Sequence, residues 1–233
     1  MKEHPILFSG PMVRAILAGR KTQTRREVKP QPSYIIDPQC RTYEPALVDR
    51  HGEMYPGPEV FGFYNEEHGW KCPYGQPGDR LWVRETTCIA PKNFATPDET
   101  CVRDYDGALR FVSYRADGHS EDAMRDYRLK WTPSIHVPRW ASRITLEIVS
   151  VRVERLSEIT EADAIAEGIE KSDRGYLDYH WEQKRGASLA RGWFSDPVLS
   201  YRSLWETIDG PGSWDANPWV WVVEFKRVET QTA

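Results

Sequence analysis

The chain lacks the apolar segments that would place it in a membrane. Its 233 residues contain no run of about 18 apolar residues, which is the length that a membrane-spanning helix requires. Near the start, Glu3 and Pro5 interrupt the apolar core that a secretory signal peptide needs. The sequence therefore predicts a soluble, cytoplasmic protein that does not contact membranes.

An excess of positive charge is also missing. Lys and Arg number 31 against 35 Asp and Glu, which gives a formal net charge of −4. Domains that hold duplex nucleic acid through bulk electrostatics are usually strongly basic. We therefore expect no long duplex DNA partner, and any contact with nucleic acid must use a local basic patch or a pocket for one nucleotide.

Cysteine is scarce, and the four cysteines contain no pair separated by two residues. Together with the missing signal peptide, this predicts reduced thiols rather than disulfides. Cys40, His51, His68 and Cys72 could be drawn around a zinc ion, but their spacing differs from the common zinc-finger patterns. We expect no metal, and no organic cofactor is implied because a Gly-rich phosphate loop is absent.

The residues that are present predict a folded, mainly β protein. The chain has 39% hydrophobic residues and ten tryptophans, enough apolar surface to exclude wholesale disorder, and its length suggests one or two domains. Apolar spacing and capping residues predict short helices at residues 10–18, from Thr160 to Gly168, and after Asp196. Strands are predicted at residues 80–86, 109–115 and 143–155. The β-branched content of residues 21–26 predicts a strand or extended segment, and residues 219–226 are apolar on both faces, as in a central closing strand.

The arrangement of these elements favours a small barrel. The strands do not alternate regularly with helices, so a doubly wound parallel sheet is not expected. Within residues 143–155 the apolar positions change from even to odd numbers at 148–149, which indicates a bulge or bend of the kind that turns a barrel corner. We expect a mainly β fold with helices (α+β), a mostly antiparallel barrel, and a largely irregular insertion at residues 29–79 that could hold a short hairpin. A second irregular stretch is expected up to residue 109, and the helix after Asp196 should bury the stripe Val198, Tyr201, Trp205 and Ile208.

A basic segment lies between the first helix and the first strand. Six cations occur within sixteen residues, namely Arg14, Arg20, Lys21, Arg25, Arg26 and Lys29. Cations are favoured near the negative end of a helix, which accounts for Arg20 better than for Arg25 and Arg26. The residues alone leave two interpretations open, a solvated charge run or a site for an anion or nucleotide.

Residues 16–26 read Ile-Leu-Ala-Gly-Arg-Lys-Thr-Gln-Thr-Arg-Arg, and three later segments, residues 78–83, 164–168 and 221–225, follow in order. These four segments resemble the motifs of the ASCH domain family, small β-barrels related to the RNA-binding PUA domains. Residues 72–75 and 138–143 are similar to ASCH proteins carried by phages and prophages. The resemblance implies one elaborated PUA-like domain over residues 1–233, with insertions near 29–77, 87–140 and 170–195.

The resemblance also implies a catalytic set. Bacterial acetylcytidine amidohydrolases of this family use a lysine, a threonine and a glutamate, which correspond to Lys21, Thr24 and Glu167. A threonine hydroxyl is a weak nucleophile that needs a base. Lys21 could be that base if burial and the neighbouring arginines lower its pKa. Glu167 would orient the lysine or carry a proton, and Arg26 or backbone amides would hold the oxyanion.

Geometry sets a condition on this assignment. Residues three apart lie on opposite faces of a regular strand, so Lys21 and Thr24 converge only if Lys21 lies in the turn after Gly19. Without the resemblance, Thr24 could equally be a threonine of the barrel wall. Glu167 would then be an exposed carboxylate on the last turn of a helix.

The predicted strand after Gly78-Asp79 carries Trp82, Arg84 and Glu85. Trp82 and Arg84 share a face and could clamp a base, although a core tryptophan beside a surface arginine is an equal alternative. With Arg20 and Arg26, these three are the predicted substrate-binding residues. The leading expectation is recognition of a nucleoside, nucleotide or RNA, with hydrolysis of an acetylated cytidine. The alternatives are a non-catalytic reader of single-stranded RNA or of a modified base, and a ribonuclease.

Overall fold

The computed structural model describes residues 1–34, 39–64, 68–91, 101–118, 129–180 and 192–228, and parts of all three predicted insertions lie outside these ranges. The described residues are mainly β with helices, as predicted. The α-helices are α1 (Gly10–Leu17), α2 (Glu161–Ala166) and α3 (Pro197–Asp209). The strands are β1 (Glu3–Leu7), β2 (Gln23–Glu27), β3 (Arg41–Tyr43), β4 (Ala46–Val48), β5 (Met54–Pro56), β6 (Val60–Tyr64), β7 (Gly69–Lys71), β8 (Arg80–Arg84), β9 (Thr87–Pro91), β10 (Cys101–Arg103), β11 (Leu109–Tyr114), β12 (Thr145–Arg155), β13 (Lys171–Ser172), β14 (Gly175–Leu177), β15 (Trp193–Phe194) and β16 (Trp219–Val228). Among the described residues the sheets are open, and no closed barrel is found.

The chain forms two compact units. The first unit comprises Met1–Gly19, Asp79–Glu147 and Lys226–Ala233. The second unit comprises Arg20–Gly78 and Ile148–Phe225. The strands and buried side chains of each unit are described in turn below.

In the first unit, β8 is the middle strand. It runs parallel to β1 and antiparallel to the start of β12. Leu81 and Val83 of β8 are buried, whereas Trp82 and Arg84 on the other face are half-buried, which confirms the predicted alternation. A second sheet has the order β10-β11-β9, and its residues Val112 and Tyr114 are buried in a small apolar cluster.

The second unit contains the sheet order β12-β16-β2. Val220 to Val223 of β16 are buried on both faces of the strand, as the predicted closing strand requires. In β12, Ile148 and Val151 are buried while Val149 is 52% exposed, so the predicted change of phase is confirmed. The strand therefore buries even-numbered residues in its first half and odd-numbered residues in its second half.

N-terminal caps begin α2 and α3 at the positions that the sequence predicts. Thr160 Oγ1 accepts a hydrogen bond from the Asp163 N–H at 3.2 Å, and Asp196 Oδ1 accepts one from the Val198 N–H at 2.7 Å. Tyr201 of α3 is buried in the apolar cluster of this unit, as predicted. The prediction is wrong for Ile208, which is 50% exposed because that cluster does not extend to the last turn of the helix.

Most described residues of the segment at 29–79 lie outside strands, as predicted, and the ribbon β4-β5 is the short hairpin that the sequence allowed. Five short strands there form the sheet β3-β6-β7 and the ribbon β4-β5. Phe63 of β6 stacks on Trp70 of β7 with ring centres 5.0 Å apart, and it also packs against Trp221 at 5.2 Å. Aromatic contacts between neighbouring strands, rather than an aliphatic alternation, hold this region together. Strands β9 and β10 similarly occupy part of the stretch expected to be irregular up to residue 109.

The described residues bear on the membrane, disulfide and metal features that the sequence raises. No helix among the described residues is long and apolar enough to cross a membrane. All four cysteines are described, and each is a free thiol. Within the described ranges, no group of three or more His, Cys, Asp or Glu side chains is arranged to hold a metal ion.

Candidate functional site

The start of β2 and the end of α2 are joined through the backbone of one residue. The Thr22 N–H donates to the Ala166 carbonyl at 2.9 Å, and the Thr22 carbonyl accepts from the Phe225 N–H at 2.8 Å. These bonds hold the segment before β2 between α2 and β16. Lys21 precedes Thr22, and Glu167 follows Ala166, so the same bonds bring these two residues together.

Lys21 and Glu167 form a buried ion pair. Lys21 Nζ donates to Glu167 Oε2 at 2.7 Å, to the Glu167 carbonyl at 2.8 Å and to the Gln23 carbonyl at 2.8 Å. The side chains of Lys21 and Glu167 are 0% and 3% exposed. An ammonium group has three N–H donors, and these three acceptors match them. Glu167 is therefore not the exposed helix-end carboxylate of the alternative interpretation.

Burial changes the acidity of Lys21. The loss of solvent lowers its pKa, and the charges of Arg26 and Arg25 lower it further, while Glu167 opposes the change. Burial is the largest of these causes. The result is a lysine that releases a proton more easily than a solvated one.

Thr24 lies on β2, opposite Val223 of β16, and is 1% exposed. Its hydroxyl has no hydrogen-bond partner among the described residues. Lys21 lies before β2 begins at Gln23, so the opposite-face rule for a regular strand does not separate it from Thr24. A buried hydroxyl without a partner is costly, and such groups in proteins usually have a structural or chemical role.

Arg25 is a second buried cation. Its side chain is 0% exposed, and its Nη1 lies 3.5 Å from Glu167 Oε1. Its Nη2 lies 2.5 Å from Glu154 Oε1 and 3.3 Å from Asp163 Oδ2. A solvated charge run therefore does not describe Arg25, since three carboxylates surround it away from solvent.

Arg152 forms a further set of ion pairs with the carboxylates that surround Arg25. Arg152 Nε donates to Glu154 Oε2 at 2.9 Å, its Nη2 donates to Asp163 Oδ1 at 3.0 Å, and it also pairs with Glu224. Burial acts to raise the pKa of Asp163, but hydrogen bonds from Thr160 and the charge of Arg25 outweigh it and lower the pKa to about 2. Asp163, which lies between the two arginines, is thus held in its charged form.

Tyr201 is a residue of this site that the sequence analysis assigned only to an apolar stripe. It is 3% exposed. Burial raises its pKa well above the usual value, the charge of Glu167 adds to this, and Arg25 and Arg26 oppose it. A tyrosine in place of an aliphatic residue on the buried stripe of α3 was the available signal. Arg26 itself is half-buried.

Arg20 lies at the edge of the site. It is exposed, and its Nη1 donates to the carbonyls of Gly168 and Ile169 at 3.3 and 3.4 Å. These carbonyls follow the end of α2, where a cation is favoured. Its visible role is to hold the chain that follows Glu167.

The other predicted binding residues belong to the first unit. The Arg84 guanidinium lies 5.2 Å from the centre of the Trp82 ring, and that of Arg139 lies 6.0 Å from it. Arg84 Nε also donates to the Val137 carbonyl at 3.2 Å. Trp82 is half-buried on the outer face of β8, so it is not a core tryptophan.

Glu85 is committed to an ion pair within the first unit. It accepts hydrogen bonds from Arg143 at 2.9 and 3.1 Å and is 3% exposed. Arg143 also donates to Asp117 at 2.8 Å and lies 3.9 Å from the centre of the Tyr114 ring. Burial raises the pKa of Glu85, and Arg143 opposes that change. This geometry gives Glu85 a structural role in an ion pair rather than a role in binding a ligand.

Comparisons with known proteins add no relatives. A scan against protein-family models, a search of curated proteins and a search of solved structures each gave no significant match to this chain. The resemblance to ASCH domains therefore stays a prediction from the sequence motifs. The argument for function depends on the geometry around Lys21, Thr24 and Glu167.

Proposed function

We propose that the second unit carries the active site of an amidohydrolase that removes the acetyl group from an acetylated cytidine. The observation that carries the proposal is the buried Lys21–Glu167 pair, with Nζ and Oε2 2.7 Å apart, beside a strand that bears the unpartnered hydroxyl of Thr24. Amide hydrolysis needs a nucleophile, a base with a lowered pKa and a route for the proton. These three residues supply those groups, and they are the residues that the family resemblance implies.

The first half of the proposed reaction acylates Thr24. Neutral Lys21 takes the proton of the Thr24 hydroxyl while Oγ1 bonds to the acetyl carbonyl carbon. Arg26, half-buried on the same strand, or nearby backbone N–H groups stabilise the oxyanion that forms. The bond between the carbonyl carbon and the amine nitrogen then breaks, and that nitrogen receives the proton from Lys21 with Glu167 as the relay.

The second half returns the enzyme to its starting state. A water molecule bonds to the carbonyl carbon of acetyl-Thr24, and its proton passes to Lys21. The bond between the carbonyl carbon and Thr24 Oγ1 breaks, and Oγ1 recovers the proton. Acetate and cytidine are the products, and no oxidant, reductant or cofactor enters the balance.

The proposed fold and location follow from the same motifs. We propose a PUA-like, ASCH-type domain with the sheet of β12, β16 and β2 as its core, acting in the cytoplasm on free nucleosides. The burial of Lys21, Thr24 and Glu167 keeps these residues from an extended chain, and we propose a single nucleoside as the substrate. It disfavours a ribonuclease that would use Lys21 on an extended phosphate backbone.

A second candidate is binding of single-stranded RNA without turnover. The observation that favours it is the half-buried Trp82 on the outer face of β8, with Arg84 and Arg139 beside its ring. Bases stack on tryptophan, and guanidinium groups stack on bases. This candidate uses the first unit and requires none of the catalytic set.

Release of acetate from acetylcytidine tests the first proposal. We expect turnover by the unaltered protein and a loss of at least about a hundredfold in Lys21→Ala and Thr24→Ala, the usual scale for removing a general base. Thr22→Ala and Lys29→Ala are the matched controls, because Thr22 is an exposed threonine of the same motif and Lys29 is 80% exposed. No turnover by the unaltered protein would overturn the activity, and full activity in Thr24→Ala would overturn the role of that residue.

A further inference from the structure

Glu167 lies between two buried cations, and only one of them belongs to the proposed catalytic set. Its Oε2 accepts from Lys21 Nζ at 2.7 Å, whereas its Oε1 lies 3.5 Å from Arg25 Nη1. Oε1 and Nη1 have no hydrogen-bond partner among the described residues, so the ion pair is their visible interaction. One carboxylate therefore serves two cations in a region that solvent does not reach.

A second set of carboxylates balances Arg25. Its other terminal nitrogen is paired with Glu154 and Asp163, and both of these are paired in turn with Arg152. Asp163 also caps α2, the helix whose end carries Glu167. The position of Arg25 is therefore set from the start of α2, and Arg25 in turn contacts the residue at the end of that helix.

We propose that Arg25 is a positioning residue that holds Glu167 in place and takes up part of its charge, so that Lys21 can alternate between ammonium and neutral amine. The inference rests on the proposed function, because it assigns to Arg25 a role through Lys21 and Glu167 rather than contact with substrate. A buried Glu167 that faced Lys21 alone would stabilise the ammonium form fully. Arg25 competes for the same carboxylate and repels the same ammonium group.

The elements next to the Lys21–Glu167 pair each contribute a charged or titratable group that acts on it. Arg25 and Arg26 face Lys21 from β2, Glu167 faces it from the end of α2, and Tyr201 faces Glu167 from α3. Burial, Arg26 and Arg25 each lower the pKa of Lys21, in that order of size, and Glu167 opposes them. Removal of Arg25 should therefore raise the pKa of Lys21.

The acidic limb of the pH–rate profile gives the first readout. In Arg25→Met, kcat/KM for acetylcytidine should fall at neutral pH, and the limb should move to higher pH, about tenfold in rate for each unit of the move. The rate on the alkaline plateau should recover. Arg25→Lys keeps a charge but cannot reach both sets of carboxylates. Its acidic limb should lie between those of the unaltered protein and Arg25→Met. A Lys21 pKa unchanged or lowered in Arg25→Met would overturn the proposal.

Direct titration of Lys21 separates this inference from the proposed activity. In protein labelled with ¹³C and ¹⁵N lysine, the Lys21 resonance is identified by its absence in Lys21→Arg, and its pKa is followed in each variant. Arg152→Met is the matched control, because Arg152 pairs with Glu154 and Asp163 and its described ion pairs do not include Glu167. A pKa that rises in Arg25→Met much more than in Arg152→Met supports the proposal even if acetylcytidine is not a substrate. Equal shifts in the two variants would contradict it. If Arg25→Met is unstable, the same titration is made in Arg25→Met/Glu154→Gln, which also removes a carboxylate that Arg25 balances.

Discussion

Lys21 Nζ and Glu167 Oε2 lie 2.7 Å apart although 146 positions separate the two residues in the sequence. The pair is buried, so solvent does not screen it, and removing one partner leaves a charge without compensation. Both residues depend on the backbone bonds of Thr22 for their approach. Stability and the proposed chemistry are thus linked at one contact.

Lys21→Met should lower the free energy of unfolding by about 3–5 kcal/mol, the range for breaking a buried pair from one side. Lys21→Met/Glu167→Gln should recover most of that loss, because no buried carboxylate then remains without its lysine partner. Urea unfolding at neutral pH measures both. A double variant no more stable than the single one would show that the cost comes from packing rather than from charge.

Asp163 should give the protein a measurable sensitivity to acid. Its pKa in the folded state is about 2, below its value of 3.8 in the unfolded chain, so the unfolded state binds more protons between these values. The contribution is complete about one pH unit above 3.8 and is lost as the pH falls through 2. With allowance for solvent screening, we expect roughly 1–2 kcal/mol.

Urea unfolding at several pH values between 4 and 2 measures this contribution. Asp163→Asn should be less stable than the unaltered protein at about pH 5 and should lose less stability on acidification. Asp173→Asn, at an exposed carboxyl group, is the control and should keep the original slope. A slope in Asp163→Asn as steep as that of the unaltered protein would contradict the assignment.

Glu85 should affect stability and not turnover. Arg143→Met leaves the 3% exposed Glu85 without its cation and should cost roughly 3 kcal/mol in urea unfolding. We expect kcat/KM for acetylcytidine to stay within about twofold at a temperature where the variant is folded. A hundredfold loss of turnover in the folded variant would return Glu85 to the substrate-binding set.

Salt should distinguish the two candidate functions. A nucleoside has no phosphate, so its dissociation constant should change little between about 50 and 200 mM salt. An RNA oligonucleotide bound across the face of Trp82 should lose affinity steeply over the same range, and Trp82→Ala should weaken it further. Tight, strongly salt-dependent RNA binding without acetate release would favour the second candidate.

Local signals in the sequence were sufficient for several elements. The spacing of Met12, Val13 and Ile16 predicts α1, and the pair Thr160 and Asp163 predicts the start of α2. Each signal lies within one or two turns of the element that it predicts, so distant contacts are not needed. The same holds for the phase change in β12.

Contacts between distant segments explain what the sequence did not predict. The strands between residues 41 and 71 are three to five residues long, and Phe63 depends on Trp70 and Trp221 for its burial. Such short strands carry little alternation of their own. Strand β1, which was not predicted, has one fully buried residue and is defined by its pairing with β8.

The candidate site shows the same limit. Lys21, Thr24 and Glu167 were grouped by a family resemblance and not by spacing, because no local rule joins residues 21 and 167. The burial of Arg25 could not be read from a run of cations, since its counter-ions Glu154 and Asp163 come from β12 and α2. Tyr201, whose pKa the charge of Glu167 helps to raise, comes from α3.

A crystal structure of Thr24→Ala with bound acetylcytidine would test the central claim most directly. The account predicts that the acetyl group lies against the side chain of residue 24, with its amide within hydrogen-bond reach of Lys21 or Glu167 and the cytosine toward Arg26. A nucleoside bound on the face of Trp82, or no bound nucleoside at concentrations that saturate the unaltered protein, would contradict it.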